Sequence, residues 1–403
     1  MEPLSEVDIF DPGRYVAGVP HAAFQRLRAE SPVHWHAEPG GRGFWAVTRY
    51  EDLVTVSKDP KRFSSARGGT NIQDYAREDL SQIQMLMVNM DPPQHHKFRK
   101  LATAGFTPRM VARLEPYARA AANGIIDAVI ARGRCDFVRE IAAELPLIVI
   151  ADLMGIPQSE RQKLFELSNR LIGFDDPEFQ TSLADGRMAA AEMWVYANQI
   201  ASDRRGKQGE DLVTVLMNAE VDGEHLTEME FDSFFLLLAV AGNETTRNLI
   251  SGGMLALSEN PLQWQRLLAD RALVPSAVEE MLRWVTPVTH FRRTATCDTE
   301  LRGVKMKEND KVVLYYASAN RDEAVFEHPE RFDVGRTPNE HVAFGVGEHF
   351  CLGSNLARLE IRIMFEELLR RVPDLTTDGP VRRLRSNFIN GIKEMPVRFT
   401  PGA

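Results

Sequence analysis

A glycine-rich segment at residues 344–353, Phe-Gly-Val-Gly-Glu-His-Phe-Cys-Leu-Gly, constrains the fold more than any other part of the chain. Its glycines allow a tight turn and a close approach of the backbone to a flat ligand. Cys351 lies just before the helix predicted at residues 355–369, where free amide groups favour a thiolate over a thiol. A single cysteine in such a turn is more often a buried structural residue. The complete ten-residue pattern instead favours a cysteine that binds a ligand.

Helical periodicity dominates the rest of the sequence. Apolar residues repeat at helical spacing at residues 110–131, 159–172, 188–204, 227–257, 275–284 and 356–371. Short β-type runs lie beside turn residues at 43–48, 290–295, 299–301, 311–316 and 397–400. No Gly/Ser-rich or Pro-rich linker divides the 403 residues, and no period repeats. The pattern predicts one domain over residues 1–403, of the mainly α (α+β) class with small β-sheets.

The cysteine segment resembles the haem-binding loop of the cytochrome P-450 family. The family pattern Phe-x-x-Gly-x-x-x-Cys-x-Gly is matched by Phe344, Gly347, Cys351 and Gly353. The resemblance implies haem b (iron protoporphyrin IX) as cofactor, Cys351 as the metal ligand, and the triangular, helix-rich cytochrome P-450 fold. It also places Phe344 near the sulfur and Gly345 and Gly353 among the cofactor-binding residues. A thiolate ligand donates electron density to iron and favours cleavage of the O–O bond.

A second motif, Ala-Gly-Asn-Glu-Thr-Thr at residues 241–246, lies inside a segment with helical spacing of apolar residues. Gly242 and Thr245 fall on the interior face of that helix. A mid-helix glycine costs about 1 kcal/mol relative to alanine, which indicates that something comes close to the backbone there. Thr245 can bond back to the carbonyl of Ala241 and open the helix locally. Close packing of two helices is the alternative explanation for the glycine.

This motif resembles the oxygen-binding groove of the same family, with Ala241 and Gly242 against the haem. Glu244 and Thr245 occupy the acid and alcohol positions, so the resemblance implies that they are the catalytic residues. A carboxylate beside a hydroxyl in an apolar pocket can relay protons from solvent to dioxygen. Glu244 is expected to shuttle protons, and Thr245 to hold the oxygen and its proton-donating water.

Haem carries two propionates, and their burial requires charge-assisted donors such as arginine and histidine. His95 and Arg99 share one face of a predicted helix at i, i+4 spacing, with Asp91 as its N-cap. This matches the His-x-x-x-Arg helix of the family. The resemblance adds Arg293 and His349 at the remaining propionate positions. Any one of these residues alone is more often an exposed surface charge.

Glu280 and Arg283 form an i, i+3 pair on one predicted helix face, which alone is usually a solvated face. By resemblance they are the Glu-x-x-Arg pair of the family, which binds a later arginine and braces the cysteine loop. We expect Arg331 to be that partner, with Arg336 as the alternative.

Charge and cysteine content exclude several other classes. The 48 basic and 57 acidic side chains give a formal charge of −9 without a basic stripe, so nucleic acid is not an expected partner. Cys135, Cys297 and Cys351 are too few and too scattered for a disulfide framework or a zinc site. The Gly345 and Gly347 loop lacks the Gly-x-Gly-x-x-Gly spacing of a dehydrogenase. Apolar runs are too short to span a bilayer, and the acidic start lacks a signal core, so a cytoplasmic location is expected.

The resemblance also implies the reaction partners. No reductase domain is fused to the chain, so electrons from NAD(P)H are expected to arrive through a separate ferredoxin and ferredoxin reductase. Lys97, Lys100 and Arg109 are candidate contacts for an acidic donor, although ordinary solvated side chains would look the same. A monomer is expected.

Substrate class rests on three shorter strings, residues 241–248, 318–322 and 385–393. They resemble bacterial family members that hydroxylate sterol side chains or methyl-branched lipids at a terminal methyl, and terpenoid hydroxylases share part of the pattern. The segments expected to line the pocket, 85–88, 171–174, 288–291 and 388–389, are almost wholly uncharged, which suits a hydrophobic substrate. The expected reaction inserts one oxygen atom of O2 into a C–H bond. A haem-thiolate protein that only binds ligands is the alternative from another class, but it would not need Glu244 and Thr245.

Overall fold

Helices form most of the molecule. The computed structural model describes residues 3–103, 106–180, 182–204, 206–209, 211–221 and 224–402. The α-helices are α1 (His21–Glu30), α2 (Tyr50–Ser57), α3 (Arg77–Ile83), α4 (Gln94–Thr103), α5 (Pro108–Ile130), α6 (Glu144–Leu153), α7 (Arg161–Ile172), α8 (Leu183–Arg204), α9 (Leu212–Met217), α10 (Glu228–Glu259), α11 (Pro261–Ala269), α12 (Val274–Val285), α13 (Tyr316–Ala319) and α14 (Ser354–Arg371).

The strands are short and form small sheets. They are β1 (Val33–His36), β2 (Phe44–Val47), β3 (Phe63–Ser64), β4 (Arg134–Asp136), β5 (Glu220–Val221), β6 (Glu224–His225), β7 (His290–Ala295), β8 (Thr299–Leu301), β9 (Val304–Met306), β10 (Lys311–Tyr315), β11 (Thr376–Thr377), β12 (Arg382–Arg383), β13 (Ile392–Glu394) and β14 (Pro396–Arg398). The largest sheet has the order β1-β2-β10-β7-β3, in which β10 pairs with β2 in parallel and with β7 antiparallel. A second sheet has the order β11-β14-β4, and the remaining strands form hairpin pairs.

The predicted fold class is confirmed. The six predicted helical segments correspond to α5, α7, α8, α10, α12 and α14, and the five β-type runs correspond to β2, β7, β8, β10 and β14. Clear capping residues at the helix starts explain this agreement. Thr107 caps α5 through the amide of Met110, and Pro108 occupies its first turn. Thr227 and Glu230 form a capping box at the start of α10.

The long helix α10 organises the interior. It contacts α6, α7, α8, α12 and α14, and buried side chains continue along most of its length. A helix buried along most of its length must be enclosed by other elements, which explains its central place. Among the helices of the described ranges, none is both long enough and apolar enough to cross a membrane.

One predicted helix start is wrong. Asp91 does not cap α4, which begins at Gln94. Its carboxylate accepts hydrogen bonds from the Ser65 amide at 2.8 Å and from the Ser64 hydroxyl. Asp91 therefore ties the loop before α4 to the end of β3, because that strand offers donors that the sequence spacing does not reveal.

Candidate active site

An apolar cavity of about 250 Å³ lies between α10 and the loop that leads into α14. Its apolar wall includes Met87, Val88, Leu238, Val288 and Phe291. The predicted pocket segments 85–88 and 288–291 therefore contribute to it. The segments 171–174 and 388–389 are not in its lining. Ile172, Phe174, Phe388 and Ile389 instead belong to a neighbouring cluster that packs against Val288 and Phe291. These two segments were misplaced because they lie one layer of side chains behind the wall.

The Cys351 loop turns as tightly as the sequence predicts. Gly345 and Gly347 have φ values of +71° and +79°, a region that favours glycine. A Cβ atom on Gly347 would lie 2.8 Å from the carbonyl oxygen of Ser57. The Cys351 amide donates to the carbonyl of Phe344 at 2.9 Å, which closes the turn. Cys351 and Phe344 both line the cavity.

The acidity of Cys351 differs from the prediction. Burial raises the pKa of its thiol, although the Gly353 amide and the charges of Arg99 and Arg358 act in the opposite direction. Burial therefore acts against the thiolate that the helix start was expected to favour. A bound cation deprotonates a coordinating thiol outright, so the sulfur is suited to a metal ligand rather than to a free nucleophile.

The predicted propionate donors come together beside the cysteine loop. His95, Arg99, Arg293 and His349 all line the cavity. The rings of His95 and His349 lie 4.2 Å apart between centroids, and Arg99 donates to the Phe350 carbonyl at 2.6 Å. Arg293 is 4% exposed and donates to the Arg292 carbonyl at 2.9 Å. Two guanidinium groups and two imidazoles therefore converge on one side of the cavity.

These four residues fit a buried dianionic ligand. Within the described ranges, neither Arg99 nor Arg293 forms an ion pair with a carboxylate, and Nδ1 of His95 is buried without a hydrogen-bond partner. Burial, and then the charge of Arg99, lowers the pKa of His95 to about 4, and burial with the charge of Arg293 lowers that of His349 to about 2. Arg293 is buried and Arg99 is half-buried. A buried guanidinium without a counter-charge is costly, and two carboxylates would supply the negative charge that these arginines lack. A sulfur ligand, an apolar cavity and this donor set together fit haem.

On α10, Thr245 faces the cavity and its hydroxyl donates to the Ala241 carbonyl at 2.8 Å, as predicted. The helix nevertheless continues without interruption, so the predicted local opening is not observed. Ala241 and Gly242 also line the cavity. A Cβ atom on Gly242 would lie 2.9 Å from Cδ1 of Ile150 in α6, so close helix packing accounts for this glycine as well.

Glu244 points away from Thr245. It is fully buried, it does not line the cavity, and its carboxylate accepts a hydrogen bond from the Arg247 guanidinium. Arg247 also donates to Oδ1 of Asn169 in α7 at 2.8 Å. Burial raises the pKa of Glu244, although Arg247 acts to lower it. Successive helical residues are about 100° apart around the axis, so adjacent acid and alcohol groups face different neighbours.

A second cavity of about 360 Å³ lies on the Arg247 side of α10. Arg247, Asn169 and Phe165 line it together with the charged side chains of Glu144 and Lys393. Arg247 was not among the predicted site residues, although its i, i+3 spacing from Glu244 was a readable signal. Glu244 therefore contacts a residue of this charged cavity, whereas Thr245 on the same helix faces the first cavity.

The brace behind the cysteine loop is present with a corrected third member. Arg283 donates to Oε1 of Glu280 at 2.8 Å, and both side chains are fully buried. Arg336 donates to Oε2 of Glu280 at 3.1 Å. The choice of Arg331 was wrong: its side chain is exposed, and it contributes its carbonyl to Arg283 and Arg336. The chain turns between these residues, so that Arg336 reaches inward.

Two further acids of the site escaped sequence reasoning. Glu279 accepts hydrogen bonds from Arg358 at 2.7 Å and from His341 at 3.0 Å, which joins α12 to α14 and to the segment before the cysteine loop. Glu360 of α14 is buried and lines the cavity. An acid in an amphipathic helix ordinarily belongs to the solvated face, so neither role could be predicted from the residue pattern.

Comparisons with known proteins agree with this geometry. Residues 147–373 match the family model described as Cytochrome P450. The chain is 42% identical over 402 residues to a steroid C26-monooxygenase of Rhodococcus jostii, covering 97% of this chain and 84% of that protein. It is 45% identical over 389 residues to a methyl-branched lipid omega-hydroxylase of Mycobacterium tuberculosis, covering 94% and 90%. A Mycobacterium marinum cytochrome P450 solved in complex with pseudoionone superimposes with a TM-score of 0.92 at 40% identity, covering 99% of this chain and 100% of that one.

Proposed function

The chain belongs to the cytochrome P450 family, and we propose that this haem-dependent monooxygenase hydroxylates the terminal carbon of a sterol side chain or a methyl-branched lipid. One observation carries the proposal: Cys351 and Thr245 line the same apolar cavity, beside a cluster of arginine and histidine donors that suits two propionates. A thiolate-ligated haem supplies the chemistry that activates dioxygen and oxidises a C–H bond.

The residues of the chain take separate roles in this proposal. Cys351 is the sulfur ligand, and His95, Arg99, Arg293 and His349 hold the propionates through charge-assisted hydrogen bonds. The apolar wall excludes water and orients the substrate.

Proton delivery involves both faces of α10. The Thr245 hydroxyl accepts a hydrogen bond from a cavity water while it donates to the Ala241 carbonyl, and so holds that water near the reacting oxygen. Glu244 takes protons from the second cavity when its contact with Arg247 opens, and then turns toward Thr245. The acid must move, because it does not line the first cavity in the structure.

The substrate class is supported by the wall of the cavity and by the two named relatives. A terminal methyl has a stronger C–H bond than an internal methylene, so its selection requires walls that keep internal carbons away from the reacting centre. Phe291 provides such a wall, because its ring lies 5.7 Å from that of Phe388 and 6.1 Å from that of Tyr316. The two ring contacts restrict the position of Phe291.

A spectral titration followed by product analysis tests this assignment. Sterols with an intact side chain and methyl-branched acids should convert the ferric protein from the low-spin to the high-spin spectrum. Mass spectrometry should then find hydroxylation at the chain end. If these ligands gave no spectral change while a compact terpenoid gave a complete one, the substrate would be a terpenoid. Binding without any oxidised product, with electrons supplied, would favour the ligand-binding alternative.

We further propose that electrons pass from NAD(P)H through a ferredoxin reductase and a ferredoxin to a monomeric protein. Lys100 and Arg109 are exposed near the start of α5, and Lys97 lies on the same helix as Arg99. Electrostatic steering by such side chains mainly raises the association rate and fades with salt. Reduction rates with an acidic ferredoxin should therefore fall with ionic strength, and less steeply in Lys100→Ala and Arg109→Ala.

A further inference from the structure

A group of three metal-binding side chains joins the start of α4 to the Cys351 loop. One ring nitrogen each from His95 and His96 and one carboxylate oxygen of Glu348 lie within 4.8 Å of one another. Among the described residues, no other group of three or more histidine, cysteine, aspartate or glutamate side chains meets this spacing. Of these three residues, His95 alone lines the cavity, whereas the His96 side chain is 58% exposed. The group therefore extends from the cavity to solvent, and neither His96 nor Glu348 has a role in the proposed reaction.

The distance between His96 and Glu348 already suits a tetrahedral metal ion. Nε2 of His96 lies 3.5 Å from Oε1 of Glu348. Ligand atoms at about 2.0–2.1 Å from a tetrahedral zinc ion are about 3.4 Å apart. His96 is exposed and Glu348 is half-buried, so both side chains have room to turn toward the His95 ring. Two imidazoles and one carboxylate, with a fourth position open to water, are a donor set that zinc uses in proteins.

Two buried atoms of the group have no partner in the protein. Within the described ranges, Nδ1 of His95 and Oε2 of Glu348 form no hydrogen bond, and His95 is only 1% exposed. Buried polar atoms without a partner are costly. A propionate can bond to His95, but it cannot donate to the Glu348 carboxylate. An imidazole has two ring nitrogens, so His95 can hold a propionate through one nitrogen and a metal ion through the other.

The protonation of His95 and the nearby charges allow a cation to bind. Burial, and then the charge of Arg99, lowers the pKa of His95 to about 4, so its ring is neutral and can bind a metal near neutral pH. The charge of Arg99 acts against a second cation, although its guanidinium donates to the Phe350 carbonyl at 2.6 Å. The Glu348 carboxylate and the propionates of the proposed haem offset this repulsion.

We propose that His95, His96 and Glu348 form a binding site for a divalent transition-metal ion, with Zn²⁺ as the best match, which ties α4 to the Cys351 loop. The site does not depend on the monooxygenase reaction, because metal binding needs neither substrate nor electrons. Helix α4 carries His95 and the loop carries His349, so the metal ion holds together two segments that supply propionate donors. Bound metal therefore slows the loss of haem from the ferric protein.

Calorimetric titration of the ferric protein with Zn²⁺, without a histidine tag, tests the site. The unmodified protein should bind one equivalent in a distinct tight phase. Loss of a residue that only orients a metal ligand typically lowers affinity by about 10- to 100-fold, so His96→Ala and Glu348→Gln should each weaken this phase by at least about tenfold. His225→Ala is the matched control and should bind as the unmodified protein does, because His225 lies 3.4 Å from Glu220 without a third ligand among the described residues. Absence of the tight phase, or equal affinities in all four proteins, would overturn the proposal.

X-ray absorption at the zinc edge tests the part of His95 without a substitution that could disturb haem binding. The method reports the ligands of zinc alone, so the haem iron does not interfere. Zinc bound to the unmodified protein should have two imidazole ligands and oxygen ligands, and zinc bound to His96→Ala at higher concentration should have no more than one imidazole. A single imidazole in the unmodified protein would exclude His95 from the site.

Transfer of haem to apomyoglobin tests the tie between α4 and the Cys351 loop. One equivalent of Zn²⁺ should slow the transfer severalfold in the unmodified protein and in His225→Ala, because the metal ion must leave before the two segments separate. The same amount of Zn²⁺ should have no effect in His96→Ala or Glu348→Gln. A transfer rate that Zn²⁺ leaves unchanged in the unmodified protein, or slows equally in the two site variants, would contradict the proposal.

Discussion

Cys351 enters the cavity from a loop that is held by backbone turns and not by the thiol, so its replacement should remove the sulfur without moving the loop. Reduced Cys351→Ala under carbon monoxide should lack the red-shifted Soret band that a thiolate ligand gives to haem. Cys135→Ala and Cys297→Ala serve as controls and should keep it. If the band survived in Cys351→Ala, or disappeared in either control, another ligand would have to be assigned.

The roles of Thr245 and Glu244 can also be tested separately, because Thr245 lines the first cavity whereas Glu244 is bound to Arg247, which lines the second. Thr245→Ala should leave haem binding intact and divert electrons to peroxide or water, since the hydroxyl that holds the cavity water is gone. Arg247→Met should remove the hydrogen bond that holds the Glu244 carboxylate. The product formed per NAD(P)H consumed should stay high in this variant, while the pH dependence of turnover should change. Product per NAD(P)H and pH–rate profiles are the measurements. Unchanged coupling in Thr245→Ala together with unchanged turnover in Glu244→Ala would remove the relay.

Among the elements, α10 packs closely against α6 at Gly242. Alanine would gain up to about 1 kcal/mol of helix propensity there, but its Cβ would meet Ile150 at 2.9 Å in a packed interior. Gly124 of α5 is exposed, and a Cβ there would meet nothing within 4 Å. Gly124→Ala should therefore raise the melting temperature, whereas Gly242→Ala should not and Gly242→Val should lower it. A stabilised Gly242→Val would show that α6 and α10 are less tightly packed than the structure indicates.

The contact of α12 with α14 through Glu279 makes stability depend on pH. Burial would raise the pKa of Glu279, but the bonds from His341 and Arg358 lower it from 4.5 to about 2. An acid whose folded pKa is lowered stabilises the native state above its unfolded pKa, and this contribution is lost as pH falls toward the folded value. The difference in unfolding free energy between the unmodified protein and Glu279→Gln should be constant above about pH 5 and shrink toward pH 2. If the unfolding free energies of the two proteins fell in parallel between about pH 5 and pH 2, the contacts of Glu279 would not be a source of acid lability.

Sequence reasoning located these elements well and their side-chain partners less well. Helix α10 was predictable because a capping box and a long apolar face mark it clearly. The choice between Arg331 and Arg336 was not, since it depends on how a loop turns and not on spacing. Glu244 was placed beside Thr245 because adjacent residues look equivalent in a motif, while the neighbouring helices decide what each one meets. Glu360 gave no signal at all, because its burial depends on how α14 packs against α10.

For the whole molecule, the cavity predicts a relation between substrate length and affinity. Each methylene buried against the apolar wall contributes about 0.8 kcal/mol, so binding should strengthen along a series of branched acids until the cavity is full. Phe291→Ala would join the cavity to the space in front of Phe388, because the two rings are neighbours. In Phe291→Ala the tightest binding should then be found for bulkier ligands, and oxidation should spread from the chain end to internal carbons. Spectral titrations and product mass spectra measure both effects, and an unchanged product pattern would mean that Phe291 does not guide the chain.

The two cavities on either side of α10 separate the expected path of the substrate from the expected path of protons. The hydrophobic substrate is expected in the compartment that Thr245 lines, whereas charged side chains line the compartment that contains Arg247. In the proposed mechanism a ligand can therefore fill and dry the first compartment while Glu244 keeps its contact with Arg247, which lines the second. Water-excluding substrate binding and the supply of protons to Glu244, which would compete in an enzyme with a single entrance, would then use separate compartments.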